Sequence, residues 1–363
     1  MMDRYTPGEE YPAMKILLYS SLFYPSVGGM ETVVLTLAQE FARRGHQVKV
    51  VTYTPAGETD PGFPFEVVRQ PSREQLMGLT RWCEVYYQAC ISLKGLWPLL
   101  YAPRTLFVTH HTWYRRVDGT VGWQDRLKLL VCRFAQNIAI SRAIAEHIPG
   151  KLHVIANPYR AEFRKIEEVA RRKAFIFLGR LVSDKGADLL LEALRKVRDR
   201  GLDFHCTITG EGPEKENLQQ LARQYDLAGR VTFTGTVTGT NLVRLLNEHH
   251  VMVVPSRWKE PFGVVALEAI ACGCVVVGSS GGGLPEAIGP CGVTFRNGDA
   301  DELADRLCHL LTHPEALAAY RAPAAAHLSK HSARQIGEEY LRLFAQHVSY
   351  PKKLAQRVAH SLL

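Results

Sequence analysis

Apolar positions in this chain gather in short, almost unbroken runs, and between the runs they recur every three or four residues. Lys15–Ser20, Val48–Tyr53, Glu84–Ile91, Leu106–Thr109, Asn137–Ile140 and Leu152–Ile155 read as β-strands. Between the first two, Val34, Leu37, Ala38 and Phe41 fall at i, i+3, i+4 and i+7, which predicts a helix from about Met30 to Arg44, stopped at Gly45. The thirty residues after Tyr53, rich in Pro, Gly and charge, predict no element. Ser141 reads as a helix N-cap. The charged stretch Tyr159–Lys173 reads as a connection, after which the pattern starts afresh. Strands are predicted at Ala174–Leu178, Phe204–Ile208, Val231–Thr234, Val251–Val254 and Val275–Val277. Helices are predicted near Asp188–Arg200, Glu214–Tyr225, Asn241–Glu248 and Gly263–Cys272. These strands are near-continuous apolar runs, as in parallel sheets covered on both faces. Strand and helix alternating twice over predict an α/β chain of two doubly wound domains, whose ligands bind beyond the C-terminal strand ends. Two such domains would face each other across a cleft.

A length of 363 residues suits two domains. The expected division is 14–165, 166–348 and a final helix over 349–363, on which Leu354, Val358 and Leu362 form an apolar stripe. The longest apolar run, Val264–Val277, is broken by Glu268 and falls short of the ~18 residues of a membrane span. Ile16–Tyr19 is too short for a secretory leader, so the expected location is cytoplasmic. Most of the eight cysteines lie in apolar or helical stretches, and Cys272 and Cys274 have no second pair at zinc spacing. Reduced thiols are expected. The formal charge of +8 is spread, with no dense basic run or nucleic-acid module, so no nucleic-acid partner is expected. The charge fits plain solubility or contact with an anionic membrane, for which Trp113-Tyr114-Arg115-Arg116 is the candidate segment.

Chemistry is expected in four loops, each after a strand. Gly28-Gly29, before a helix, lets a phosphate approach backbone N–H groups, although a pair of glycines alone is also an ordinary turn. Gly179-Arg180-Leu181-Val182-Ser183-Asp184-Lys185-Gly186 carries two cations, Arg180 and Lys185, suited to a diphosphate. The turn Gly210-Glu211-Gly212-Pro213 could shape a nucleotide pocket. Pro255-Ser256-Arg257-Trp258-Lys259-Glu260-Pro261-Phe262-Gly263-Val264 leads into a helix that carries Glu268. A carboxylate in so apolar a helix is costly unless it meets a polar ligand, such as a ribose, or a salt bridge.

Together the Glu-x7-Glu segment, the Gly-Arg-Leu…Asp-Lys-Gly loop and the Gly-Gly turn resemble the retaining family 4 glycosyltransferases of GT-B architecture. Val277–Glu286 and Asn297–Ala304 are similar to further segments of that family, and the likeness runs from Met14 over nearly the whole chain. The resemblance implies transfer of a hexose-type sugar from a UDP- or GDP-sugar to a glycan or lipid-linked acceptor. It implies that Arg180 and Lys185 hold the diphosphate and that Glu260 contacts sugar hydroxyls. Amides of Phe262, Gly263 and Val264 would surround the donor near Pro255, Glu268 would bind ribose, and Gly28 and Gly29 would approach the phosphates. Gly210 and Glu211 would complete the donor site. His111 would lie near the transferred sugar, although its neighbour His110 competes for that assignment, and His110 and Trp113 would meet the acceptor. The resemblance also implies that the final helix packs back on the first domain.

Asp299-Ala300-Asp301 copies a metal-binding Asp-x-Asp, but it precedes a helix, where an N-cap explains it. No metal or other cofactor is therefore expected, the nucleotide sugar being a substrate. The rival readings are a nucleotide-sugar epimerase of the same architecture and a non-catalytic nucleotide-sugar-binding partner.

Overall fold

The structure is a computed structural model, which describes residues 12–26, 28–57, 62–114 and 120–348. The chain divides into two compact units, one of 12–139, 148–155 and 336–348 and one of 140–147 and 156–335 among the described residues.

The first unit runs through β1 (Lys15–Tyr19), α1 (Gly29–Arg43), β2 (Gln47–Thr52), β3 (Glu66–Arg69), α2 (Arg73–Trp82), β4 (Val85–Ala89), β5 (Thr105–His110), α3 (Trp123–Cys132) and β6 (Gln136–Ala139). After α4 (Arg142–Ala145), which belongs to the second unit, it takes up β7 (Lys151–Val154). The second unit continues with β8 (Lys173–Leu178), α5 (Ala187–Asp199), β9 (Cys206–Thr209), α6 (Lys215–Gln224), β10 (Val231–Gly235), α7 (Gly239–Asn247) and β11 (His249–Val254). Then come α8 (Val264–Ala271), β12 (Val275–Ser279), α9 (Leu284–Ile288), β13 (Gly292–Phe295), α10 (Ala300–Thr312), α11 (Pro314–Arg321) and α12 (Ala324–Lys330). The last described helix, α13 (Ala333–Ala345), enters the first unit at Ile336.

Both sheets are wholly parallel among the described residues. Their orders are β3-β2-β1-β4-β5-β6-β7 and β10-β9-β8-β11-β12-β13. Each sheet grows outward in both directions from its first strand, so the order reverses between β1 and β4 and again between β8 and β11. At such a switch point the flanking loops diverge and leave a crevice at the strand ends. The fold class expected from alternation is thus observed: two Rossmann-like doubly wound domains.

Burial explains the pattern of the strands. β4, β6, β9 and β12 are buried at every position, because helices cover both sheet faces. In the second unit Leu190 and Leu194 of α5 and Leu303 and Leu307 of α10 join one core with Phe175, Ile208, Val251 and Val275.

Two expectations need correction, and a third falls outside the described residues. The featureless stretch after Tyr53 contains β3 and α2, and α2 is closed by a capping box between Ser72 and Gln75. Tyr159–Lys173 is not a free connection: the Tyr159 amide donates to the His331 carbonyl, the Ile166 amide donates to Asn247 Oδ1, and Arg160 pairs with Glu268. Its charges are spent on the second unit, which therefore begins at 156, with 140–147 added, rather than at 166. α13 already takes the chain into the first unit at Ile336, and the final helix expected over 349–363 lies outside the described residues. Tyr340 and Phe344 of α13 pack on Phe41, Tyr87 and Phe107, with Phe107 and Phe344 ring centroids 4.7 Å apart, and Tyr340 Oη lies 2.9 Å from Thr109 Oγ1.

Candidate functional site

In the second unit the loops after β8 and β11 flank the switch point, and backbone contacts lock them to their neighbours. The Gly179 amide donates to the Thr209 carbonyl, the Leu181 amide to the Glu211 carbonyl, and the Arg257 and Trp258 amides to the Asp184 carbonyl. The approach is so close that a Cβ at Gly210, where φ is 142°, would overlap the Gly179 carbonyl oxygen. A Cβ at Gly186, φ 71°, would overlap that of Pro255. Glycine is required at both for position and backbone angle. The loop after β12 joins through the Gly283 amide, 2.7 Å from the Glu260 carbonyl oxygen, and an isolated parallel bridge links Glu260 to Gly282. Four loops distant in sequence thus form one shelf.

On this shelf two of the candidate residues meet. Lys185 Nζ donates to Glu260 Oε1 at 2.7 Å, and Ser256 Oγ donates to the same oxygen at 2.7 Å. The lysine side chain keeps 31% of its exposure and the glutamate 13%. Oε2 of Glu260 accepts no hydrogen bond among the described residues, so one oxygen is held and the other is free. Arg180 is exposed and makes no ion pair among the described residues. Pro255 and Phe262 are buried, and the Phe262 ring lies tilted against that of His331, with centroids 5.7 Å apart. Gly263 is the N-cap of α8, with φ 103°, and Val264 begins the helix. Glu211 is exposed and pairs with Lys215 at 2.7 Å.

Glu268 answers one of the two explanations offered for it. The residue is 6% exposed, and its Oε1 accepts from Arg160 Nε at 2.8 Å. The salt bridge is therefore present, and Arg160 is the residue that sequence reasoning missed: nothing local ties it to a helix 108 positions away. Burial pushes the Glu268 carboxyl above the usual range, and Arg160 opposes that shift without cancelling it.

In the first unit Gly28 caps α1 in an extended conformation. The space beside Gly29 is open, but a Cβ at Gly28 would strike the carboxylate of Glu31 in the first helical turn. An acidic side chain thus occupies the helix N-terminus where a phosphate was expected to approach.

The paired histidines separate cleanly. His110 is fully buried, with Nδ1 2.7 Å from Tyr114 Oη and Nε2 3.0 Å from Asn137 Oδ1. Both ring nitrogens are engaged inside the unit, so His110 has no surface for an acceptor, which corrects the role expected of it. His111 is partly exposed as a residue, but its Nε2 is buried and lacks a hydrogen-bond partner. Burial lowers its pKa to about 3, with His110 adding to the effect, so the ring is neutral near pH 7. Trp113 is partly buried at the edge of the described segment; Arg115 and Arg116 lie outside it.

Asp299 caps α10, accepting from the Glu302 amide at 2.9 Å, and Asp301 pairs with Lys196. Both carboxylates of the Asp-x-Asp lookalike are thus accounted for by helix and ion pair. The eight cysteines are free thiols, six of them buried.

Residues 27–163 match the family described as Glycosyltransferase Family 4, and residues 159–327 match Glycosyl transferases group 1. The phosphatidylinositol N-acetylglucosaminyltransferase gpi3 subunit of Schizosaccharomyces pombe is 26% identical over 81% of this chain and 72% of its own length. The GDP-mannose-dependent alpha-(1-6)-phosphatidylinositol monomannoside mannosyltransferase of Mycolicibacterium smegmatis is 34% identical over 52% of each chain. Among solved structures, Anabaena Alr3699/HepE in complex with UDP has a TM-score of 0.77 at 20% identity, covering 92% of this chain and all of that one. Sucrose-phosphate synthase of Thermosynechococcus elongatus has a TM-score of 0.75 at 19% identity, covering 92% and 98%. At such identities the likeness of structures speaks for the fold.

Proposed function

This chain belongs to the group 1 glycosyltransferases of GT-B fold, and from that premise we propose that it transfers a hexose-type sugar, with retention, from a UDP- or GDP-sugar to a lipid-linked or glycan acceptor. The observation that carries the donor site is the Lys185–Glu260 pair at the switch point of the second sheet. In this reading Arg180 and Lys185 face the diphosphate, whose negative charge grows as the glycosidic bond breaks. Preorganised cations stabilise that charge more in the transition state than in the ground state. Lys185 and Ser256 hold one oxygen of Glu260, leaving the other to orient sugar hydroxyls. Glu268, held on Oε1 by Arg160, accepts from the ribose. Gly210, Glu211, Pro255 and the amides of Phe262, Gly263 and Val264 frame the donor, while Gly28, Gly29, His111 and Trp113 serve from the first domain.

The acceptor reading draws on relatives: two of them, unlike in donor, are named for phosphatidylinositol substrates. A lipid-linked acceptor implies work at a membrane surface, which the cytoplasmic reading makes its inner face. Turnover needs no metal, since fixed cations take the place of one.

The test is a pair of variants read by calorimetry and kinetics. Lys185→Ala weakens binding of free UDP or GDP and lowers kcat by about 10²–10³-fold, the effect of losing one preorganised electrostatic contact. Glu260→Gln impairs kcat while leaving the affinity for the free nucleotide nearly unchanged. The assignment fails if Glu260→Gln abolishes nucleotide binding while Lys185→Ala leaves binding and turnover intact.

A further inference from the structure

Helix α3 is built the wrong way round for a helix on a water-facing surface. Trp123, Leu127, Leu130 and, just past its end, Phe134 are 73%, 41%, 50% and 82% exposed. Their spacing of four, three and four residues confines them to an arc of about 60° on the helical wheel. The opposite side carries Cys132, which is buried, and Lys128, which turns to Asp125 at 3.0 Å and lies over the Tyr114 ring. The face presented to solvent is therefore the apolar one. Beside it stand Arg126 and Arg133, both exposed and both without an ion pair among the described residues. On the wheel they fall together on one flank of the stripe, next to Leu130. Contiguous exposed apolar side chains with a charged rim mark an interaction surface.

We propose that this face of α3 is a docking surface for an anionic lipid bilayer. The inference deepens the inner-membrane part of the proposed function, and rests on it, by giving it an address on the molecule. The sign of the rim decides the occupant. Two unpaired arginines beside an apolar stripe complement anionic headgroups over acyl chains, the arrangement of helices that lie in the interfacial plane. A tryptophan and a phenylalanine at the two ends of the stripe suit the headgroup boundary. A second copy of this chain seated stripe to stripe would bring four unpaired arginines to one contact. A helix of 10 residues is about 15 Å long, so it lies on the membrane. None of the described helices is long and apolar enough to cross one.

The experiment is co-sedimentation of the full chain with phosphatidylcholine vesicles, with and without phosphatidylglycerol, at low and high salt. Binding is expected to the phosphatidylglycerol vesicles and to weaken with salt. The double variant Leu127→Ser/Leu130→Ser weakens it by about tenfold per leucine, and Arg126→Gln/Arg133→Gln removes most of the salt dependence. These side chains are exposed, so both variants keep the wild-type thermal transition, which is checked alongside. No wild-type binding at low salt, or equal binding by all three proteins, overturns the proposal. So does a concentration-dependent dimer that the leucine variant dissolves without any vesicle binding. Transfer to a detergent-dispersed acceptor is measured separately: transfer without stripe-dependent vesicle binding sinks the surface and spares the proposed function, and the reverse result does the opposite.

Discussion

Replacing Arg160 by Met would remove the partner of Glu268, a residue 6% exposed, while keeping an unbranched apolar stem. The pair is a charge-assisted hydrogen bond of 2.8 Å. Two unit charges about 4 Å apart attract by roughly 4 kcal/mol at an effective dielectric of about 20. The Arg160 side chain is 32% exposed, so water screens part of that. A loss of about 1–3 kcal/mol is expected at neutral pH, the range for hydrogen bonds to charged groups. The pH dependence identifies the cause. Burial already raises the Glu268 carboxyl above the usual range, and losing Arg160 raises it further. A raised folded-state value means that protonation favours the fold. The relative stability is therefore full below the unfolded value of about 4.3 and is lost as pH rises through the folded value. The gap between Arg160→Met and wild type should thus be wide at about pH 7.5 and shrink toward about pH 5. Urea unfolding at both pH values, repeated in a Glu268→Gln background, gives the measurement. A two-domain chain can unfold in two steps, so the shift is read on the transition that Glu268→Gln also moves. If Arg160→Met costs as much with Gln at 268 as with Glu, or as much at pH 5 as at 7.5, the buried carboxylate is not what Arg160 supports.

Three further outcomes are expected. Gly210→Ala should lower the thermal midpoint sharply, because its Cβ would overlap the Gly179 carbonyl, whereas Gly29→Ala, facing open space, should fold normally and raise the KM for donor alone; calorimetric melting and initial rates compare them. Burial lowers His110, His249 and His331 to about 4 and His111 to about 3, so the stability they contribute is present above about pH 6.5 and is lost as pH falls toward those values. Urea midpoints should drop steadily over that window, and a flat profile contradicts it. Turnover should survive complete chelation, because Asp299 and Asp301 are engaged in a helix cap and an ion pair; loss of activity in chelator that Mn²⁺ or Mg²⁺ restores would refute this.

What could be read from the chain alone was what is written locally. Central parallel strands are apolar runs because helices cover both their faces, so β1, β8, β11 and β12 were legible from composition alone. The edge strand β3 is only partly buried and spells Glu-Val-Val-Arg, too short and mixed to stand out. Its neighbour α2 carried a readable signal in Ser72 and Gln75, three apart, that went unused. Lys185 and Glu260 were found separately because each sits in a loop after a strand, and their pairing across 75 positions follows from the strand order. Arg160 was hidden because its significance depends on Glu268, 108 positions later. His110 and His111 are equivalent as letters; only the pairing of β5 with β6, which sets His110 opposite Ala139 and within reach of Asn137 two positions earlier, tells them apart.

The passage of the chain into the first unit at Ile336 has a consequence for how the molecule is made. A ribosome releases β1 to β7 long before it releases Tyr340 and Phe344, so Phe41, Tyr87 and Phe107 wait without their cover while the whole of 156–335 is synthesised. The domain begun first is completed last, and it closes around residues from the far end of the message. A nascent chain stopped between Phe295 and Ile336 would therefore carry every strand of the second sheet and a first sheet with an open aromatic seam, the natural target for a chaperone or for aggregation.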